Sequence, residues 1–288
     1  MKPAILVPVD NTPVSKEVLR FADDWAARVS ARLVVLHCRS AAIQDLIERG
    51  ELQNPEPSFE AHLQALQLRS EVEIVHLFAD PADGILKLQD ELEPELTIMA
   101  AHSHTLAGRL FLGSNTDMVL HQGSTPIFVY KQTQRDPQQV VVPLDLSSIS
   151  ESLLRKADEL ALARQGKLRL LHVLDYPEIH VVGGGAFYGV AIDGGFLQER
   201  REQLLEYGRK SLEELVAQVE LKSPYQLHLD FGTPYLQALQ LAERVNAGLM
   251  VIGAHDHTAL GRLLMGSNTD YLVHNYEGSL YVHQELQS

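Results

Sequence analysis

The sequence is poor in cysteine, in long apolar runs and in positive charge, and each shortage removes a class of protein. A single cysteine, Cys38, among 288 residues leaves no partner for an internal disulfide and no Cys-type zinc cage. It closes an apolar stretch and reads as a small buried hydrophobe rather than a nucleophile. No apolar run approaches the roughly 20 residues that cross a bilayer as a helix. With 24 Lys and Arg against 38 Asp and Glu, the formal net charge is −14, which argues against nucleic acid or an anionic membrane as a partner. The acidity is not a tail, because residues 1–137 and 138–288 each hold 12 basic and 19 acidic residues. The N-terminus enters a strand without an apolar signal core or cleavage site, so a soluble, reducing, cytoplasmic setting is expected.

What the sequence has is a duplication. Residues 101–121 (AHSHTLAGRLFLGSNTDMVLH) and 254–274 (AHDHTALGRLLMGSNTDYLVH) agree at 13 of 21 positions without a gap, at an offset of 153. Earlier in the chain the offset is 135: ILVPVD, ending at Asp10, returns as VVVPLD, ending at Asp145, and His37 returns as His172. One insertion of 18 residues separates the two offsets, which identifies an internal repeat rather than a coincidence of composition. The insertion falls where residues 176–195 form a glycine-rich loop, expected to be a flap or an interface arm. It lacks the Lys-Ser/Thr of a phosphate loop.

Within each copy, apolar runs of four to eight residues alternate with stripes of helical period, the pattern of parallel strands and crossover helices. Helices are expected near 14–30 and 149–165. Thr12-Pro13 marks the first start, and Ser148 with Glu151 offers a capping box for the second. His37 and His172, near strand ends, are expected to be structural. The polar stretch 132–139 reads as a linker. The expected fold is therefore two α/β domains, at 1–133 and 138–288.

The strongest candidate for chemistry is the string Gly-Ser-Asn-Thr-Asp, at 113–117 and again at 266–270. It follows an apolar strand and a polar loop and opens an amphipathic segment. A helix N-terminus so placed gathers unpaired N–H groups and the positive end of the dipole, which suits an anion. The same Ser-x-x-Asp spacing also fits a capping box of Ser114 with Asp117 and Ser267 with Asp270, so a ligand site and a simple cap both remain open.

The strand ILVPVD, the strand ending in LH and the segment IGAHDHTALGRLLMGSNTD together resemble the universal stress protein family, as two copies covering nearly the whole chain. The family's pattern is Gly, two residues, Gly, nine residues, Gly-Ser/Thr. The second copy has Gly253, then Asp256 in place of the second glycine, then Gly266-Ser267; the first has Ala100, Ser103 and Gly113-Ser114. The resemblance implies two flavodoxin-like, Rossmann-like domains, each a five-stranded parallel sheet with helices on both faces. It further implies a stress-response protein without catalysis that binds ATP or another adenine nucleotide. Asp10 and Asp145 would meet the adenine, and Gly253 would lie near the ribose. Gly266, Ser267, Asn268 and Thr269, or Gly113, Ser114 and Thr116, would lie near the phosphates. The second copy keeps one more glycine, but Asp256 sets a carboxylate beside a polyphosphate at a cost of several kcal/mol at about 4–6 Å. One chain would then reproduce the dimer of single-domain relatives, and two such chains could pair.

Two alternatives stay in view. His102 with His104 and His255 with His257 have ligand-compatible spacing, and with an acid such as Asp256 could hold zinc. A slow ATPase could use the same cleft. No Ser-His-Asp, Cys-His or paired-carboxylate arrangement follows from spacing, so hydrolase chemistry has no independent support. Arg109 and Arg262 could face phosphate or pair with a nearby acid.

Overall fold

The apolar runs become strands and the stripes become helices. In a computed structural model the described residues are all but 1, 11, 40–44, 46, 52–55, 102–111, 175–193, 255–265 and 285–288. In chain order the first copy gives β1 (Ala4–Pro8), α1 (Pro13–Val29), β2 (Arg32–Arg39), α2 (Glu56–Gln64), β3 (Val72–Phe78), α3 (Pro81–Leu92), β4 (Leu96–Ala100), α4 (Ser114–Gln122) and β5 (Ile127–Tyr130). The second gives β6 (Asp136–Pro143), α5 (Ser150–Ala163), β7 (Lys167–Leu174), α6 (Gly194–Val219), β8 (Tyr225–Phe231), α7 (Pro234–Arg244), β9 (Ala247–Gly253), α8 (Ser267–Asn275) and β10 (Ser279–His283). Two compact units result, and they do not follow the repeat. Met1–Thr133 with Gly253–Ser288 form one, and Gln134–Ile252 form the other.

In the first unit the strand order is β3-β2-β1-β4-β5-β10. β1 to β5 pair in parallel, and β10 joins β5 antiparallel. The first four residues of β1 are all buried, as expected for a strand covered on both faces. From β1 the chain steps one way to β2 and β3, then returns to the other side for β4 and β5. With right-handed crossovers this reversal sends the connecting helices to opposite faces. The register between β5 and β10 sets Phe128 opposite Tyr281. These residues are 153 apart and so equivalent in the two copies. Phe21 and Trp25 of α1 close over them, with ring centroids 4.6 Å and 5.7 Å from Phe128, and Trp25 lies 6.5 Å from Tyr281. The last strand of the second copy thus completes the core of the first, which the repeat pattern alone did not reveal.

In the second unit the order is β9-β6-β7-β8, all parallel. The stretch expected as a linker is partly strand, because β6 starts at Asp136 and pairs there with Ala247 before its register shifts at Val140. Gly248 answers this extension. A Cβ at 248 would lie 2.7 Å from the Asp136 carbonyl oxygen and 2.9 Å from Pro137 Cα, both rigid backbone.

The duplication is visible in the backbone as well as the sequence. Left-handed residues recur at Ser30 and Gln165, then at Gln67 and Glu220, then at Glu93 and Asn246. The first pair is 135 apart and the others 153, so each copy turns its chain at the same places despite different side chains. A buried aspartate recurs too. Asp23 accepts hydrogen bonds from the backbone N–H of Arg69 (3.0 Å) and Ser70 (2.9 Å), and Asp158 accepts from Lys222 (3.1 Å) and Ser223 (2.8 Å). Each clasps the turn that leads into the third strand of its copy.

The helix starts depart from expectation. Pro13 does open α1. The capping box of Ser148 and Glu151 does not form: α5 begins at Ser150 with Ile149 as N-cap and no side-chain cap. Asp145 anchors this start instead, accepting from Ser147 N–H (3.0 Å) and the Ser150 hydroxyl (3.2 Å). His172 donates from Nδ1 to the Leu144 carbonyl (2.8 Å), and His37 stacks on Phe59 with centroids 4.5 Å apart, so both are structural.

Candidate functional site

The reversal of strand order falls between β1 and β4, and it is outside the carboxyl ends of such strands that open α/β sheets bind ligands. Asp10 follows β1, and Ala100 closes β4. Asp10 Oδ1 accepts from the Thr12 N–H (3.0 Å), the Thr12 hydroxyl and the Ser15 hydroxyl (2.7 Å). It is therefore half-buried and oriented by the first turn of α1. Asp145 is oriented in the same way, but it belongs to the other compact unit.

The two glycine-serine helix starts both lie in the first unit and share one geometry. Gly113 is the N-cap of α4 (φ −66°) and Gly266 that of α8 (φ −60°), and neither helix has a side-chain cap. The serines are the first helical residues rather than caps, so the capping boxes with Asp117 and Asp270 are not formed. Asp117 and Asp270 use their backbone N–H groups on the carbonyls of Gly113 and Gly266, both at 3.0 Å. Ser114, Ser267 and Asn268 are exposed. The threonines are committed elsewhere. Thr116 Oγ1 donates to the Ala100 carbonyl (3.4 Å) and Thr269 Oγ1 to the Gly253 carbonyl (2.9 Å), bolting each helix to the end of the strand before it.

The glycines themselves have no internal explanation. Their φ values are ones any residue adopts, and among the described residues a Cβ at either position would meet nothing within 4 Å. Ser103, Asp256, His102, His104, His255, His257, Arg109 and Arg262 lie outside the described residues, as do residues 176–193 of the expected glycine-rich loop at 176–195, whose last two residues belong to α6. Cys38 behaves as a hydrophobe, its thiol pushed up to about 11 by burial and then by Asp80, so it is no thiolate at neutral pH.

A profile of the universal stress protein family matches residues 1–131 and again 137–282. The chain belongs to the universal stress protein family. Its first matched relative, universal stress protein A homolog 1 of Coxiella burnetii, is 31% identical over 138 residues, 48% of this chain and 89% of the relative. Among solved structures, a protein of unknown function from Pseudomonas aeruginosa PAO1 covers 99% of this chain and 93% of its own, with a TM-score of 0.75 and 15% identity. A universal stress protein from Archaeoglobus fulgidus covers 98% of both chains, with a TM-score of 0.67 and 19% identity. At those identities the likeness establishes the fold, which is tandem and flavodoxin-like. No helix among the described residues is long and apolar enough to cross a membrane.

This universal stress protein also brings together His121 and His274, which had no assigned role, with Asp117 and Asp270, which were expected only as capping-box partners. His121 and His274 end the helices that Gly113 and Gly266 start, each four residues after an aspartate. The pairs cross: His121 Nε2 lies 3.4 Å from Asp270 Oδ1, and His274 Nε2 lies 3.3 Å from Asp117 Oδ1. The signal in the sequence was Asp-x-x-x-His at the same offset in both copies. The crossing depends on how α4 and α8 meet.

Proposed function

We propose that the protein is a non-catalytic stress-response protein that binds an adenine nucleotide with its phosphates at the glycine-capped helix starts. The domains are 1–133 and 138–288. The observation that carries this reading is the pair Gly113 and Gly266: neither backbone conformation nor any contact among the described residues calls for glycine there. A phosphate approaching the free N–H groups of the first turn supplies the reason for a missing side chain. Asp10, held in place by Thr12 and Ser15, serves the adenine end in the first copy. Of the two copies the second retains Gly253 where the first has Ala100, and we assign it the better site.

The test uses ATP titrated into the full chain by calorimetry. Gly113→Val and Gly266→Val fit the backbone angles and meet no described residue within 4 Å of the added Cβ, so both variants should fold with wild-type circular dichroism. The expectation is at least about tenfold weaker binding in Gly266→Val, a loss of about 1.4 kcal/mol, and a smaller effect in Gly113→Val. Wild-type affinity in the double variant overturns the reading. Phosphate release that disappears in Ser267→Ala would replace it with a slow ATPase.

A further inference from the structure

We propose that Asp117, His121 and Asp270, with His274 beside them, form a binding site for a divalent transition-metal ion of the zinc type. Asp117 and Asp270 lie in the first turns of α4 and α8, but the ligands are side chains and the site needs no nucleotide. Spacing of four places Asp117 and His121 on one face of α4, and Asp270 and His274 on one face of α8. Ligand atoms of Asp117, His121 and Asp270 lie within 4.8 Å of one another.

The histidine tautomers are fixed by geometry. His121 Nδ1 lies 2.8 Å from the Asp117 carbonyl oxygen, and His274 Nδ1 lies 2.8 Å from the Asp270 carbonyl oxygen. A carbonyl only accepts, so each Nδ1 carries the ring proton. In the neutral ring Nε2 is then a lone pair, and it faces a carboxylate oxygen at 3.4 Å or 3.3 Å, acceptor against acceptor. Asp117 Oδ1 is itself buried and accepts no hydrogen bond among the described residues. Something positive belongs between these atoms.

The spacing suits a metal. With zinc–nitrogen and zinc–oxygen bonds of about 2.0–2.1 Å, the edge of a tetrahedron between two ligand atoms is about 3.3–3.4 Å. Imidazole with carboxylate is a donor set for zinc and its first-row neighbours rather than for calcium. The Nδ1–H to carbonyl bonds are the outer contacts that orient a metal-binding histidine. All four side chains are between 38% and 46% exposed, which leaves an ion a way in.

The experiment titrates zinc chloride into the EDTA-treated full chain without ATP, so its failure and the failure of the nucleotide reading are distinguishable. One ion per chain is expected. The isosteric pair Asp117→Asn/Asp270→Asn should weaken it at least tenfold, with Trp25 emission unchanged as a check on folding. The variant with His102, His104, His255 and His257 all changed to alanine should keep wild-type affinity. Cobalt in place of zinc should give the intense visible bands of tetrahedral coordination. Zinc affinity unchanged in the Asp→Asn pair, affinity lost in the four-histidine variant, or no uptake by the wild type would each overturn the proposal. The last outcome would leave the quartet as crossed His–Asp ion pairs alone.

Discussion

Lys131 and Gln284 stand at equivalent places, 153 apart, each just after the last strand of its copy, and both are buried. Lys131 Nζ donates to the carbonyls of Val273 (3.1 Å) and Tyr276 (2.6 Å), where α8 ends and its carbonyls lack helical partners. The amide of Gln284 has no partner for its nitrogen or its oxygen among the described residues. The duplication preserved the position and the burial, but only one copy filled the position with a side chain long enough, and charged, to cap a helix of the other copy. Duplicated geometry does not imply duplicated chemistry.

The largest effect expected from breaking this comparison is electrostatic. Burial, partly offset by Glu277, lowers the Lys131 amine from 10.5 to about 8. Below that value folded and unfolded chains both carry the proton, and its burial costs stability. Between about 8 and 10.5 the unfolded chain binds more protons, so stability rises with pH, by up to about 3 kcal/mol. Urea titrations at pH 7.5 and 9.5, followed by Trp25 emission, should show a rise in wild type that Lys131→Met lacks. Taking the difference removes Cys38 and Tyr130, whose raised values act in the opposite direction. A rise of the same size in both chains would remove the assignment.

A smaller effect tests the pair that did stay alike. Asp23→Ala and Asp158→Ala should each cost about 2 kcal/mol, since both leave two backbone N–H groups unanswered. Asp23 should cost more because the Arg69 guanidinium also reaches it, at 3.3 Å. Burial alone would raise the Asp23 carboxyl, but the N–H groups of Arg69 and Ser70 outweigh it and hold it below the ordinary carboxylate value. That stability is present at neutral pH and is lost as pH falls through the lowered value. Unfolding by emission for Asp23 and by far-ultraviolet dichroism for Asp158 measures both, and a negligible loss in either breaks the equivalence.

The smallest effect sharpens the opening contrast. Gln284→Leu removes a buried amide that has no hydrogen bond among the described residues and should gain about 1 kcal/mol. Destabilisation in the same emission assay would mean that Gln284 has a polar role after all.

Much of this was legible in the residues. Offsets of 135 and 153 gave the repeat, and a buried apolar run ending in Asp10 or Asp145 gave the strand ends. Gly-Ser-Asn-Thr-Asp located two helix starts to within one residue. The same string misled about its serines, because Ser-x-x-Asp spells a capping box whether or not the serine sits at the cap, and here the glycine does. The linker was misplaced for a similar reason: Asp136-Pro137-Gln138-Gln139 is polar enough for a loop, yet it pairs because Gly248 leaves its backbone room.

Local pattern determined which segments are strands and helices, since hydrophobic period and helix-start chemistry act within a few residues. That pattern also fixed the family, through spacing that survives the loss of its glycines at Ala100, Ser103 and Asp256. Only the tertiary structure decided that β10 completes the first copy's sheet, that Lys131 caps α8, and that His121 faces Asp270. Those contacts join residues roughly 140 to 150 apart in the chain, where the free energy comes from burial and charge across surfaces that no local window contains.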